Sequence, residues 1–271
     1  MRVAYLLCAA LIIASAAGAA VTVEVKSDPP LPVPNLFANP GLETGQDRPD
    51  VWAVSASQPD VVDFQYLKQG GYKGAYLRVD ARGSTSNGYL SQPLHVQPDT
   101  LYRAGIWLRL RGGTCVMWLH GYVGGKRFDE RAYAYSYGAL PLIPDFVKLE
   151  WTHSPDPDRW AWLGREFRTW VGQESVNPHF GAFFDRGSMD LDEPFIGLAR
   201  TRLIVAVTGG PIKQVVASDE RGKVVWDSGV LADSPERVEH TVEELPTDTR
   251  YVVKVTAADG TEVSQWYPEA N

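Results

Sequence analysis

Trp118, His120 and Tyr122 recur at every second residue, and so do Tyr133, Tyr135 and Tyr137 a little further on. In an extended strand that period places each trio on one face. A row of rings with polar tips suits a flat ligand rich in hydroxyls, because aromatic faces stack on the apolar side of a pyranose while neighbouring polar groups fix its hydroxyls. Arg78, Asp80, Arg103, Trp107 and Arg109 fall on the polar side of two further alternating runs and are expected to line the same sheet.

Groups for catalysis are harder to assemble. The five histidines, His95, His120, His153, His179 and His240, lack the i, i+4 pair of a helical zinc site. There is no Gly-x-Ser-x-Gly elbow and no phosphate loop. One lyase-type set is conceivable on a single sheet face, with His120 as base, Tyr135 as acid and Arg109 as charge neutraliser. Of the two cysteines, Cys8 lies in an N-terminal apolar stretch, so the mature chain is expected to keep only Cys115 and no internal disulfide.

The elements that must position these residues are strands. From Asn35 to about Leu198 the chain shows short alternating runs broken by Gly, Pro, Asn and Asp clusters, and no helix-length 3.6 pattern. The clearest alternation sets Tyr102, Ala104, Ile106, Leu108 and Leu110 against Arg103, Gly105, Trp107 and Arg109. Cys115, Met117 and Leu119 likewise oppose Val116, Trp118, His120 and Tyr122. Asn87-Gly88 reads as a turn, and so do Asp219-Glu220-Arg221-Gly222 and Asp259-Gly260. The expected class is all-β: a jelly-roll β-sandwich over 35–199, then a small immunoglobulin- or fibronectin-like β-sandwich over 200–271.

Met1-Arg2, the apolar run from Val3 and the small residues Ala17-Gly18-Ala19 have the arrangement of an export signal over 1–20, with cleavage after Ala19 or Ala20. Residues 21–34, with four prolines between Ser27 and Pro34, read as a proline-rich lead. Composition agrees with a folded chain of 271 residues, 44% hydrophobic and 11% aromatic. Twenty-six Lys and Arg against 33 Asp and Glu give a formal charge of −7, which offers no electrostatic attraction to nucleic acid or an anionic membrane.

Asn35-Leu36-Phe37-Ala38-Asn39-Pro40-Gly41-Leu42-Glu43 resembles the opening strand of carbohydrate-binding modules of the galactose-binding-domain-like jelly-roll superfamily. Gly74 to Val79, Leu94 to Tyr102 and Met189 to Phe195 resemble its later strands in order, so the resemblance covers Asn35 to Leu198. It implies binding of a polysaccharide or oligosaccharide; with the export signal and the alternating rings, the expectation is an exported, non-catalytic protein that binds it on a sheet face through Trp118, His120, Tyr122, Tyr133, Tyr135, Tyr137 and Arg109. It also implies a structural calcium held by Glu43 and Asp192 with backbone carbonyls, a fitting pair for a cation that takes six to eight oxygens at about 2.3–2.6 Å. Leu245 to Tyr251 resembles the tyrosine corner of fibronectin type III domains, which implies a spacer or docking module. The alternative readings are a cell-surface structural or adhesion protein with a protein partner, and a jelly-roll polysaccharide lyase or an esterase.

Overall fold

The computed structural model describes residues 9–12, 21–27, 33–83, 87–137, 149–153 and 156–268. Most of the candidate export signal and the proline run at 28–32 lie outside them. In chain order the first strands are β1 (Ala9–Ile12), β2 (Thr22–Ser27), β3 (Ala53–Ala56), β4 (Val62–Leu67), β5 (Tyr76–Ala81), β6 (Asn87–Ser91) and β7 (Leu94–His95). Then come β8 (Leu101–Leu110), β9 (Gly113–Val123), β10 (Lys126–Tyr137), β11 (Leu149–His153), β12 (Ala161–Arg168), β13 (Ser175–Phe183) and β14 (Gly187–Leu198). The last are β15 (Arg200–Thr208), β16 (Ile212–Asp219), β17 (Val224–Asp227), β18 (Arg237–Pro246), β19 (Tyr251–Ala257) and β20 (Glu262–Tyr267). The all-β class expected from the alternating runs is the class observed.

The chain divides into two compact units, Pro34–Leu198 and the combination of Met1–Val33 with Ala199–Asn271. In the first unit one sheet runs β12-β8-β14-β5-β4 and the other β11-β10-β9-β13-β6-β3, with β7 also paired to β13. Between them lies a core to which β8 contributes Tyr102, Ala104, Ile106, Leu108 and Leu110, and β9 contributes Cys115, Met117 and Leu119. Both sets are the apolar halves of the alternations above, so burial selects the face and the pleat sets its opposite. The opening segment closes the sandwich: the Asn35 amide donates to the Pro194 carbonyl at 2.8 Å, and its side-chain oxygen accepts from the Ile196 amide at 3.2 Å. Asn87-Gly88, expected as a turn, starts strand β6 instead. Gly88 is there for contact rather than for turning, since a Cβ on it would come within 2.6 Å of Val62 Cγ1.

The second unit has sheets β1-β2-β15-β18 and β17-β16-β19-β20. Its division differs from the one drawn from composition, because Thr22–Ser27 is a paired strand rather than part of a lead. The reason is local: Thr22-Val23-Glu24-Val25-Lys26 alternates, and Val23 and Val25 are fully buried in a core with Val205, Val207, Val253 and Val255. Residues 200–271 alone therefore lack a strand that lies inside one of their two sheets. The Asp219–Gly222 and Asp259–Gly260 turns join strands as expected, with Gly222 and Gly260 at φ of +82° and +86°. The Tyr251 hydroxyl, largely buried, donates to the Pro246 carbonyl at 3.0 Å and ties the start of β19 to the end of β18.

Val25→Asp is expected to remove on the order of 4 kcal/mol or more from the second unit, by burying an unpaired carboxylate in a wholly apolar core. Hydrogen exchange checks this: protection should fall in β15, β16 and β19 and stay unchanged in β8 and β9.

Candidate functional site

Strand β9 lies between β10 and β13 in the seven-stranded sheet, and its outward side chains meet outward neighbours from both. Trp118 is opposite Ala132 on one side and His179 on the other; His120 is opposite Glu130 and Asn177; Tyr122 is opposite Arg127 and Ser175. Next along, Ser91 of β6 pairs with His179 and Tyr89 with Gly181. The result is an aromatic patch on the outer face. Ring centroids lie 5.1 Å apart for Trp118 and His120, 4.6 Å for His120 and His179, and 5.3 Å for Tyr89 and His179. Phe183 packs edge-on against Trp118, and with Val116 and Ala132 it forms an apolar cluster separate from the main core.

The polar tips in this patch have a common property. Tyr89 Oη, Trp118 Nε1, His120 Nε2, Asn177 Oδ1 and both ring nitrogens of His179 are buried atoms with no hydrogen-bond partner in the protein. These six are all such side-chain atoms among the described residues, and they belong to five residues on one sheet face. Each such group costs about 1–3 kcal/mol while it stays unpaired, so their concentration on one face is a local cost to folding stability. Burial, helped by the Arg127 charge, lowers His120 to about 4. Burial, then the charges of His120 and Arg127, lowers His179 to about 4 as well. Both imidazoles are therefore neutral near pH 7, and each offers one donor and one acceptor. Burial pushes the Tyr89 hydroxyl upward, so it too is neutral.

The structure does not unite all the expected residues. Trp118, His120 and Tyr122 share the outer face as the spacing implied. Tyr133 and Tyr135 do not join them, because their register partners are Met117 and Cys115, and that places them on the core side. Tyr133 is only 7% exposed, and the Tyr135 hydroxyl donates to the Trp162 carbonyl at 3.3 Å. Tyr137 continues that row past the end of the core and is 44% exposed. Arg109 is on the other sheet, held to Asp190 at 2.6 Å. Arg78, Arg103 and Trp107 belong to that sheet too, so they extend a different face from the one expected. The trio of His120, Tyr135 and Arg109 is consequently spread over an outer face, the core and the opposite sheet, and no lyase site is assembled from it. Tyr89, Asn177 and His179 were missed, although Ser175, Asn177 and His179 alternate with Val176 and Phe180 and so carried the same period-2 signal.

Glu43 and Asp192 meet around the loop at residues 70–75. Glu43 Oε1 accepts from the Ala75 amide at 3.1 Å, and Asp192 Oδ2 accepts from the Lys73 amide at 3.0 Å. Asp192 is fully buried, and that burial raises its carboxyl to about 6. A Cβ on Gly71 would lie 2.7 Å from Asp192 Oδ2, 2.7 Å from the Gly74 carbonyl and 2.9 Å from the Ala75 carbonyl, so three oxygens converge there. Among the described residues no three His, Cys, Asp or Glu side chains are grouped to hold a metal, so carbonyls must complete any donor set. Two carboxylates with carbonyl oxygens are a hard donor set that fits calcium.

No family profile matches the sequence, and no curated protein matches it. Solved structures do resemble it. The enzymatically active domain of bacteriophage CBA120 tailspike protein 4 is 12% identical, with a TM-score of 0.47 over 60% of this chain and 21% of its own. The module TmCBM61, solved with β-1,4-galactotriose, is 17% identical, with a TM-score of 0.38 over 61% of this chain and 99% of its own. The CBM22-1 xylan-binding domain of Paenibacillus barcinonensis Xyn10C is 13% identical, with a TM-score of 0.36 over 59% and 91%.

The two histidines give a pH test. Their folded values near 4 lie below the ordinary 6.5, so between those limits the unfolded chain binds protons that the native one does not. Their contribution is complete above about 6.5 and is lost as pH falls toward about 4. Asp192, raised to about 6, acts with the opposite sign, losing its contribution as pH rises through that value. Melting temperature plotted against pH should therefore have a shallower acid limb in His120→Gln/His179→Gln than in the parent protein.

Proposed function

We propose that this is an exported, non-catalytic glycan-binding protein that takes a saccharide on the outer face of the seven-stranded sheet, at Trp118, His120, Asn177, His179 and Tyr89. The observation that supports this is the clustering of six buried, unpartnered polar atoms among tilted and edge-on rings. The groups are neutral and mix donors with acceptors, which matches sugar hydroxyls better than a formal charge. The Trp118 indole supplies the flat surface, and each sugar hydroxyl that reaches a ring nitrogen satisfies a group already desolvated. Tyr122, at the end of the row, extends the face toward Arg127 and Ser175.

Calcium at Glu43 and Asp192, with the Gly74 and Ala75 carbonyls, is a structural part of this reading. It would neutralise a buried carboxylate and tie the opening segment to the closing strand β14. The second unit, resembling a fibronectin-type sandwich, serves as spacer or docking module. Export rests on the N-terminal sequence, and the N-terminus of the secreted chain should fall at Ala20 or Val21.

Titration against a glycan array containing β-1,4-galactotriose and xylo-oligosaccharides tests the binding face. Trp118→Ala and His179→Ala should each weaken binding about tenfold or more, as expected for one lost hydrogen-bonding or stacking partner. Tyr137→Ala should not. Unchanged affinity in both of the first two variants rejects this face. For calcium, a chelator should lower the melting temperature of the parent protein and leave Asp192→Asn unaffected; equal melting with and without the chelator rejects the metal.

A further inference from the structure

The outer face of the five-stranded sheet carries a second constellation, of different chemistry. At its centre is Asp190 of β14, fully buried and flanked in register by Arg78 of β5 and Arg109 of β8. Arg78 Nε reaches its Oδ1 at 2.7 Å, while Arg109 Nη2 at 2.6 Å and Arg111 Nη1 at 2.9 Å reach its Oδ2. Burial by itself would raise Asp190, but hydrogen bonds from Arg78 and Arg109 and the charge of Arg111 hold it below the ordinary carboxylate range. Three guanidinium groups thus converge on one ionised carboxylate. At Asp190 itself three guanidinium groups outnumber one carboxylate; the next acids on this face are Asp80, two residues along β5 from Arg78 and opposite the Arg82-paired Asp63, and Asp192, two residues along β14 and opposite Trp107.

This excess charge is half-shielded and partly unused. The Arg109 and Arg111 side chains are 19% and 32% exposed, so water screens them less than it screens ordinary surface charges. Among the described residues, neither side chain hydrogen-bonds any group besides Asp190. Arg109 Nη1 and Arg111 Nε and Nη2 have no hydrogen-bond partner among the described residues, and a guanidinium edge of this kind is matched to a carboxylate.

Beside the arginines lies a floor of rings. The Arg109 guanidinium is 4.9 Å from the centre of Trp160, and Trp160 stands edge-on to Tyr72 and Tyr76 at 6.4 and 6.1 Å. Tyr72 stacks on Trp107 at 3.9 Å with planes 9° apart, and it remains 39% exposed. Trp162 continues the floor from the neighbouring strand, lying so close over Gly105 and Gly164 that a Cβ on either would come within 2.3 Å of the indole. The exposed Tyr72 ring and the half-buried Trp160 beside guanidinium donors call for a ligand with an apolar ring face and an anionic group at its edge.

We propose that this face binds an acidic saccharide, with the uronate carboxylate on Arg109 and Arg111 and the pyranose against Tyr72 and Trp160. An acidic peptide would satisfy the arginines but leave the rings unused, and a neutral sugar would do the reverse. The site does not depend on the face around Trp118, which lies on the other sheet and binds through neutral groups.

Full-length protein, kept in calcium throughout, is titrated by calorimetry with oligogalacturonate, oligomannuronate and hyaluronan oligosaccharides. At least one should bind, with affinity falling as salt rises. Its methyl ester, which keeps the rings and lacks the charge, should bind at least tenfold more weakly. Arg111→Gln and Trp160→Ala should each weaken the acidic ligand about tenfold, Arg111→Lys less, and Trp118→Ala not at all. The proposal is overturned if none of the three binds, if both Arg111→Gln and Trp160→Ala bind like the parent, or if a poly-glutamate peptide binds as tightly as the saccharide. Loss of acidic-ligand binding in Trp118→Ala would assign it to the other face and equally overturn it.

Discussion

Cys115, Met117 and Leu119 pack into the interior of the sandwich, and that one act of burial decides where every other residue of β9 points. A strand has only two sides, so the residues between them, Trp118 and His120, are driven out onto the sheet surface together. Register does the rest. With Met117 opposite Tyr133 and Phe180, Trp118 must stand between Ala132 and His179, and the polar tips of five residues gather over small neighbours. A slip of one residue would bury these tips and expose the core, so the same apolar contacts that stabilise the fold also hold the site in place.

The sandwich thereby presents two outer faces that differ in charge. On the seven-stranded sheet the tips of Tyr89, Trp118, His120, Asn177 and His179 are neutral and without protein partners, with imidazoles that burial keeps unprotonated. On the five-stranded sheet three arginines gather around the buried Asp190. On both faces rings lie beside polar atoms, but only on the second do three guanidinium groups converge on one carboxylate. The acidic balance of the whole chain therefore says little about any one of its surfaces, since −7 spread over 271 residues coexists with three arginines gathered on one carboxylate.

The second unit shows how a strand remote in sequence completes a fold. Val23 and Val25 precede the jelly roll, yet they fill the core that β15, β16 and β19 enclose. The jelly roll is in this sense inserted between β2 and β15, which enter one sheet side by side.

Much of this was legible in the residues themselves. Period-2 alternation, turn residues such as Asp259-Gly260 and the absence of a helical period were enough to determine an all-β chain, the core half of β8 and β9, and the outward trio of Trp118, His120 and Tyr122. Those features are local, because a pleat and a turn involve only neighbours in the chain. Tertiary structure alone decided which faces meet. The tyrosines of β10 alternate as cleanly as the row in β9, and nothing in their own sequence tells the core side from the outer one. Only pairing with Met117 and Cys115 turned them inward. Pairing across a gap of about sixty residues likewise brought His179 to Trp118, and pairing of β14 with both β5 and β8 brought three arginines to Asp190. Alternation specifies that two sides differ; which of them is buried depends on the strands that come to lie alongside.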